Sequence, residues 1–318
     1  IQDNALWALS PEYGMPAETN ALLPMWNEGR MKVLFNVGYP NPNYSHFCST
    51  DIIVSGSDAD KVVETGWLGR FVDHDYAAFL EAPPTVPPAL QIGVQANMLF
   101  ESGSANMALA VSSPQEFYQI ALTGQLYNFD ALGNTPRERE LAYVRQTSNA
   151  AFHYSKTIQE AFYAGKNEVT YPQHELAEQM AIIARLIKGN LGTRIFMVAL
   201  ADFDTHVHQR AYHLTLLNQV ATAVKAFFDD LAYGNSGLEK KVLGMTFSEF
   251  GRSIYENGSA GTDHGAGTHT LLFGGDTGNG FVGQYPDLSN PDPVGDPVFS
   301  VDFRSVYATI LQDWMGNS

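Results

Sequence analysis

Short apolar runs alternate along this chain with longer stretches of helical periodicity, and that alternation predicts an α/β sandwich with a largely parallel sheet. Lys32 to Val37 (KVLFNV) reads as an early strand, followed by a Pro- and Asn-rich turn. SHFCSTDIIVSG then reads as a short helix with Ser45 near its start and Gly56 closing it. Ala82 to Gln95 combines a proline-rich loop with a short strand, and Met107 to Val111 gives another. Pro136, at a first helical turn, introduces a long helix through RERELAYVRQTSNAAFHYSKTIQEAFYAG, with a second helix from His174 to Ile187. These two helices, within about residues 135–190, are expected to cap the sheet.

The last third carries the clearest amphipathic pattern. Leu214, Leu217, Ala221, Val224, Phe228 and Leu231 recur at three- and four-residue spacing, which predicts a core-facing helix. It lies between the apolar runs Ile195 to Leu200 and Val242 to Phe247, so a strand, helix, strand unit with a right-handed crossover is expected. Thr270 to Phe273 is a further apolar run, and VDFRSVYATILQDWMG a terminal helix that Gly316 ends. No internal repeat or low-complexity linker marks a boundary, so a single domain over 1–318 is expected. The opening IQDNALWALSPEYG reads as an internal piece of a domain.

Composition narrows the partners. The formal charge of -16, with only 18 basic residues among 318, argues against a nucleic-acid partner, because phosphate binding needs a surplus of Lys and Arg on one face. Cys48 is the single cysteine, so no intrachain disulfide can form. No apolar stretch approaches the length of a transmembrane helix.

Three acidic and histidine clusters each adjoin an apolar run, where α/β sheets place ligand sites. The first holds Asp202, Asp204, His206 and His208. Spacings of two and four residues allow either histidine to share an ion with Asp204, while Asp204 or Thr205 as a helix cap is the plainer alternative. Asp263 and His264 lie in the Gly-rich loop ENGSAGTDHGAGTH, where turn formation explains the glycines but not the imidazole. His269 is either a ligand or a satisfied core histidine. Glu249 and Arg252 follow the Val242 run in SEFGR; Glu249 suits a metal or a histidine partner, Arg252 a phosphate or sulfate, and an ordinary salt bridge explains both equally well. Ser45, at a helix start, is the candidate nucleophile or simply an N-cap, with His46 the only basic neighbour of Cys48. One or two divalent ions are expected: zinc, manganese, iron or calcium, the mixed nitrogen and oxygen donors suiting the first three better.

SHF at Ser45, GWLGR at Gly66, DTH at Asp204, SEFGR at Ser248, GTDHG at Gly261 and the terminal DFRSVYATILQDWMG together resemble a bacterial family of unknown function, domain-of-unknown-function family 1501. That family is usually described as sulfatase-like and placed in the alkaline-phosphatase-like superfamily. The resemblance covers nearly the whole chain. It implies an alkaline-phosphatase-like α/β/α sandwich with a mostly parallel central sheet. It also implies metal ligands among Asp204, His206 or His208, Asp263, His264 and His269, a nucleophile at Ser45, and Arg252 steadying the anion. The family's opening strand, with its aspartate ligand, is expected to lie before Ile1. Members commonly carry an export signal, so the resemblance places the protein in the periplasm or outside the cell. Two functions are compatible with these readings. One is a metal-dependent hydrolase acting on a small anionic ester or a sulfated or phosphorylated glycan; the other is a noncatalytic exported or cell-surface scaffold or binding protein, in either case with oligomers allowed.

Overall fold

The computed structural model describes residues 5–77, 79, 82–93, 97–103, 105–128, 132–275 and 277–316. It is a mixed α/β protein, and the chain divides into two compact units, 1–63 with 200–318, and 64–199. The expected helical segment at about 135–190 falls inside the second unit.

The first unit is built on Met31–Gly38, a strand in which every residue but Lys32 is buried. Near-continuous burial of this kind marks a strand covered on both faces. Thr268–Gly274 pairs with it antiparallel, and Leu243–Met245 pairs antiparallel with Thr268–Gly274 in turn. Phe281–Val282 and Val301–Asp302 both lie parallel to Met31–Gly38. This largest sheet is therefore mixed. Helix Gln209–Ala232 buries Ala221, Val224, Phe228 and Leu231 as its periodicity predicts and leaves Leu214 and Leu217 only partly buried, and Asn218 Nδ2 donates to the Glu18 carbonyl at 2.8 Å. Helix His46–Ser55 ends at Gly56 in the left-handed conformation (φ 72°), a conformation that a side chain would strain.

In the second unit Ala89–Ile92 is flanked by Ala108–Val111 and Ile195–Met197, all parallel. Helix Pro136–Ala164 begins with a capping box between Thr135 and Glu138, and helix Glu175–Lys188 with His174 Nδ1 accepting from the Ala177 amide. Residues 94 and 95 of the expected Ala82 to Gln95 segment lie outside the described residues.

The expected crossover unit is corrected by the pairings. Ile195–Met197 joins the all-parallel sheet, whereas Leu243–Met245 joins the mixed one. Helical periodicity identifies a connecting helix but carries nothing about which strands its ends pair with, since that depends on contacts distant in sequence. The terminal segment also differs from one continuous helix: Val301–Asp302 is a strand, Asp302 caps the helix Phe303–Thr309, and a π turn over Ile310–Trp314 precedes Gly316. No helix among the described residues is long and apolar enough to cross a membrane.

Candidate metal centre

The site is assembled on a hairpin. Gly251–Glu256 pairs antiparallel with Thr262–Gly265, and the register sets Arg252 opposite His264. Directly opposed residues share a face of a sheet, so the SEFGR and GTDHG segments deliver their key side chains to one place. The connecting turn is organised by Asn257: its Oδ1 accepts from the amides of Ser259 (2.9 Å) and Gly261 (3.1 Å). Its Nδ2 donates to the His206 carbonyl at 3.0 Å and to Asp263 Oδ1 at 3.2 Å, fastening the DTH loop to the hairpin. Gly261 is required at this junction, because a Cβ there would stand 2.2 Å from the His206 carbonyl oxygen.

The DTH loop is held at its other end by the start of helix Gln209–Ala232. The amides of His208 and Gln209 donate to the carbonyls of Ser259 and Ala260, at 3.1 and 2.9 Å. Asp202 and His208 both adopt positive φ, 74° and 48°, which bends the segment between them. Asp204 and His206 face the hairpin as a result.

Four side chains then converge. His46, Asp204 and His264 offer ligand atoms that all lie within 4.8 Å of one another. His206 is outside that group of three but adjoins two of its members, with Nε2 2.8 Å from Asp204 Oδ1 and 3.0 Å from His264 Nε2. His264 Nε2 is 3.0 Å from Asp204 Oδ1, and His46 Nε2 is 3.3 Å from Asp204 Oδ2.

The opposite nitrogen of every imidazole meets an acceptor. His46 Nδ1 contacts Glu249 Oε1 at 2.8 Å, His206 Nδ1 contacts Asp263 Oδ1 at 3.1 Å, and His264 Nδ1 contacts the Tyr44 carbonyl at 2.8 Å. A carboxylate or carbonyl can only accept, so each Nδ1 donates to its outer partner. Each Nε2 faces the Asp204 carboxylate, where a cation between them would take the nitrogen as ligand and where a proton fills the same place in an ion pair. Outer acceptors of this kind orient metal-ligating histidines. Phe250, buried, supports the rings: it stacks on His264 with centroids 4.1 Å apart and lies 4.9 Å from His46.

Electrostatics follow the same geometry. Burial alone would raise the Asp204 carboxyl, but Arg252 and His264 outweigh it and hold the group at about 2. The hydrogen bond to Glu249 raises the His46 imidazole above its ordinary value. Asn257 and then His206 hold Asp263 below the usual carboxylate range. Arg252 Nη1 donates to Asp204 Oδ1 at 2.8 Å and Nε to Thr262 Oγ1 at 3.2 Å, while Nη2 donates to the Thr262 carbonyl. The guanidinium, only 16% exposed, thus clamps Asp204 in place.

Three nitrogens and a carboxylate form a donor set that fits zinc, manganese or iron better than calcium, which takes oxygen ligands. Of the residues singled out in the sequence, His46, Asp204, His206 and His264 come together, with Glu249, Asp263 and Arg252 directly behind them. Ser45 is exposed at the N-cap of helix His46–Ser55, with no side-chain capping bond and its amide donating to Asn43 Oδ1 at 2.8 Å. His208 is the N-cap of the following helix, and among the described contacts its ring makes none with the cluster. His269 stands on Thr268–Gly274, where Nδ1 accepts from the Asn36 amide at 3.2 Å and the ring meets Phe35 edge-on. Sequence reasoning did not single out Tyr44, Phe250, Asn257 or Thr262. The Asn257-Gly258 dipeptide was the available signal, since it marks a hairpin turn.

The fold and site define an α/β protein with an imidazole and carboxylate cluster at a hairpin edge. A family model described as "Protein of unknown function (DUF1501)" matches residues 34–314, and the chain belongs to that family. No curated protein and no solved structure matches the chain.

Proposed function

We propose that this protein is a metal-dependent hydrolase of phosphate or sulfate esters, with its ion held by His46, Asp204, His206 and His264. The observation that carries the reading is the common pattern of the three imidazoles: each has Nδ1 on an acceptor and Nε2 aimed at Asp204. A cation between the three Nε2 atoms and Asp204 would satisfy all of these groups at once, and the elemental analysis below distinguishes it from a set of imidazolium–carboxylate ion pairs. A divalent ion there supplies Lewis-acid polarisation of an ester oxygen and lowers the pKa of a hydroxyl beside it.

The chain's own groups complete the chemistry. Ser45, exposed and adjacent to His46 at a helix N-terminus, is the candidate nucleophile on phosphorus or sulfur. Arg252 keeps Asp204 ionised and oriented, a positioning role that differs from the direct anion contact expected of it. Glu249 and Asp263 fix the rings of His46 and His206. An alkaline-phosphatase-like sandwich, an exported location and a phosphorylated or sulfated glycan among the substrates belong to this same proposal.

Elemental analysis of the purified chain beside Asp204→Ala, with turnover of 4-nitrophenyl phosphate and 4-nitrophenyl sulfate in the same samples, tests it. The expected result is bound metal and turnover in the parent, both lost in the variant. Metal-free parent protein with no turnover would favour the scaffold or binding function instead.

A further inference from the structure

Beside the cluster lies an open cleft of about 440 Å³, within the size range of small-molecule sites. It belongs to the same unit and shares Asp263 and His264 with the metal centre. Its other walls include Tyr44, Tyr255, Glu256 and Asp296, and among the described residues no Lys or Arg lines it. Tyr255 is 60% exposed, leaving much of its ring for a ligand. Its ring packs against Gly295, where a Cβ would stand 3.2 Å from Cδ2 and Cε2 and where φ is +94°, so a side chain at 295 would both strain the backbone and displace the ring. The Ile254 amide donates to the Gly295 carbonyl at 3.4 Å, and buried Asp296 accepts from the Tyr44 hydroxyl.

The two ends of this site differ in charge. At one end are the imidazole nitrogens, Asp204 clamped by Arg252 and the place for a cation, with Asp263 on His206 at the boundary; at the other are Glu256, Tyr255 and Tyr44, the last donating to buried Asp296. An ester whose anionic group occupies the first end must direct its alcohol half into the second. Carboxylates accept hydrogen bonds from hydroxyls and repel a further anion, while a tyrosine face suits the C–H side of a saturated ring. We infer that the cleft receives an uncharged, hydroxyl-bearing alcohol portion of the substrate and selects against a second anionic group there, with Glu256 and Tyr255 as specificity-determining residues. This inference rests on the ester-hydrolase reading for the direction in which the substrate lies.

Saturation-transfer NMR of the full chain in zinc-containing buffer tests it with two matched probes. Methyl β-D-glucopyranoside is the uncharged ring, and methyl β-D-glucopyranosiduronate is the same ring with a carboxylate in place of the hydroxymethyl group. The expected result is transfer to the glucoside, several-fold weaker in Tyr255→Ala, and none to the uronate. Glu256→Lys should gain transfer to the uronate, a change that misfolding cannot produce. Equal or stronger transfer to the uronate in the parent, no transfer to the glucoside, or an unchanged signal in Tyr255→Ala would overturn the inference. Turnover of the aryl esters in the same samples separates the two claims. Turnover without glucoside binding contradicts the cleft assignment alone, whereas glucoside binding without turnover contradicts the hydrolase reading alone.

Discussion

His264 and His269 stand five residues apart on consecutive strands of different sheets, yet the two regions use the imidazole in opposite ways. His264 Nδ1 donates to the Tyr44 carbonyl, and its Nε2 faces Asp204 and His206, where it is placed to ligate a cation. His269 Nδ1 accepts from the Asn36 amide, so in the neutral ring the proton sits on Nε2. A ring in that tautomer has no Nε2 lone pair to give a metal. What separates a candidate ligand from a packing histidine here is the partner on the far nitrogen, more than sequence spacing or a neighbouring acid.

Removing the shared carboxylate should break the first region most completely. Asp204→Ala deletes the group that contacts His46, His206, His264 and Arg252, and elemental analysis should find its metal lost while far-UV circular dichroism stays that of the parent. Weakening an outer acceptor should have a smaller effect. Glu249→Ala is expected to reduce metal affinity by roughly 10- to 100-fold, as other outer partners of ligating histidines do. Glu249→Gln, whose amide oxygen still accepts from His46 Nδ1, should recover most of that loss in a chelator competition. A variant pair with equal affinities would argue against an orienting role.

The second region should respond in stability and not in metal. His269→Ala removes the acceptor of the Asn36 amide in a buried residue, which costs about 1–3 kcal/mol for an unsatisfied donor. Denaturant melts should register that loss with metal content unchanged. Loss of metal in this variant would place His269 with the ligands and dissolve the distinction.

The smallest expected effect is acid sensitivity of the metal-free protein. Asp204 is held at about 2 in the folded chain, below its ordinary 3.8, so the unfolded chain binds more protons between those values. The contribution of Asp204 is therefore fully present above about pH 4 and lost as pH falls toward 2. Asp204→Asn should flatten this part of the stability profile. An unchanged profile would mean that Arg252 and the histidines do not stabilise the carboxylate in solution.

Much of the first region is legible in the amino-acid sequence. DTH and GTDHG supply members of the cluster and SEFGR supplies Glu249 and Arg252 behind it, because acids and imidazoles in short Gly-rich connections have little packing purpose. The strand Met31–Gly38, the helix closing at Gly56 and the capped helix from Pro136 also follow from local signals. Register was not legible in the same way. The opposition of Arg252 and His264 depends on the hairpin turned by Asn257, and that turn read only as a Gly-rich loop. Choosing His206 over His208 depends on the left-handed backbone at His208, which spacing does not encode. Tyr44 acts through its carbonyl, a group every residue has, so its side chain gave no hint. Strand partners were illegible for a related reason: Ile195–Met197 and Leu243–Met245 are three-residue strands whose pairing is decided by distant segments.

The central claim is that His46, His206 and His264 turn their Nε2 atoms toward one ion beside Asp204. Zinc titration of the metal-free chain, followed by two-dimensional NMR of ¹⁵N-labelled imidazoles, tests it most directly. The account predicts that zinc shifts the Nε2 signals of those three rings together, with their Nδ1 protons retained and the His269 signals unchanged. Shifts at His208 or His269 in place of these three, or no stoichiometric shift at any ring, would contradict it.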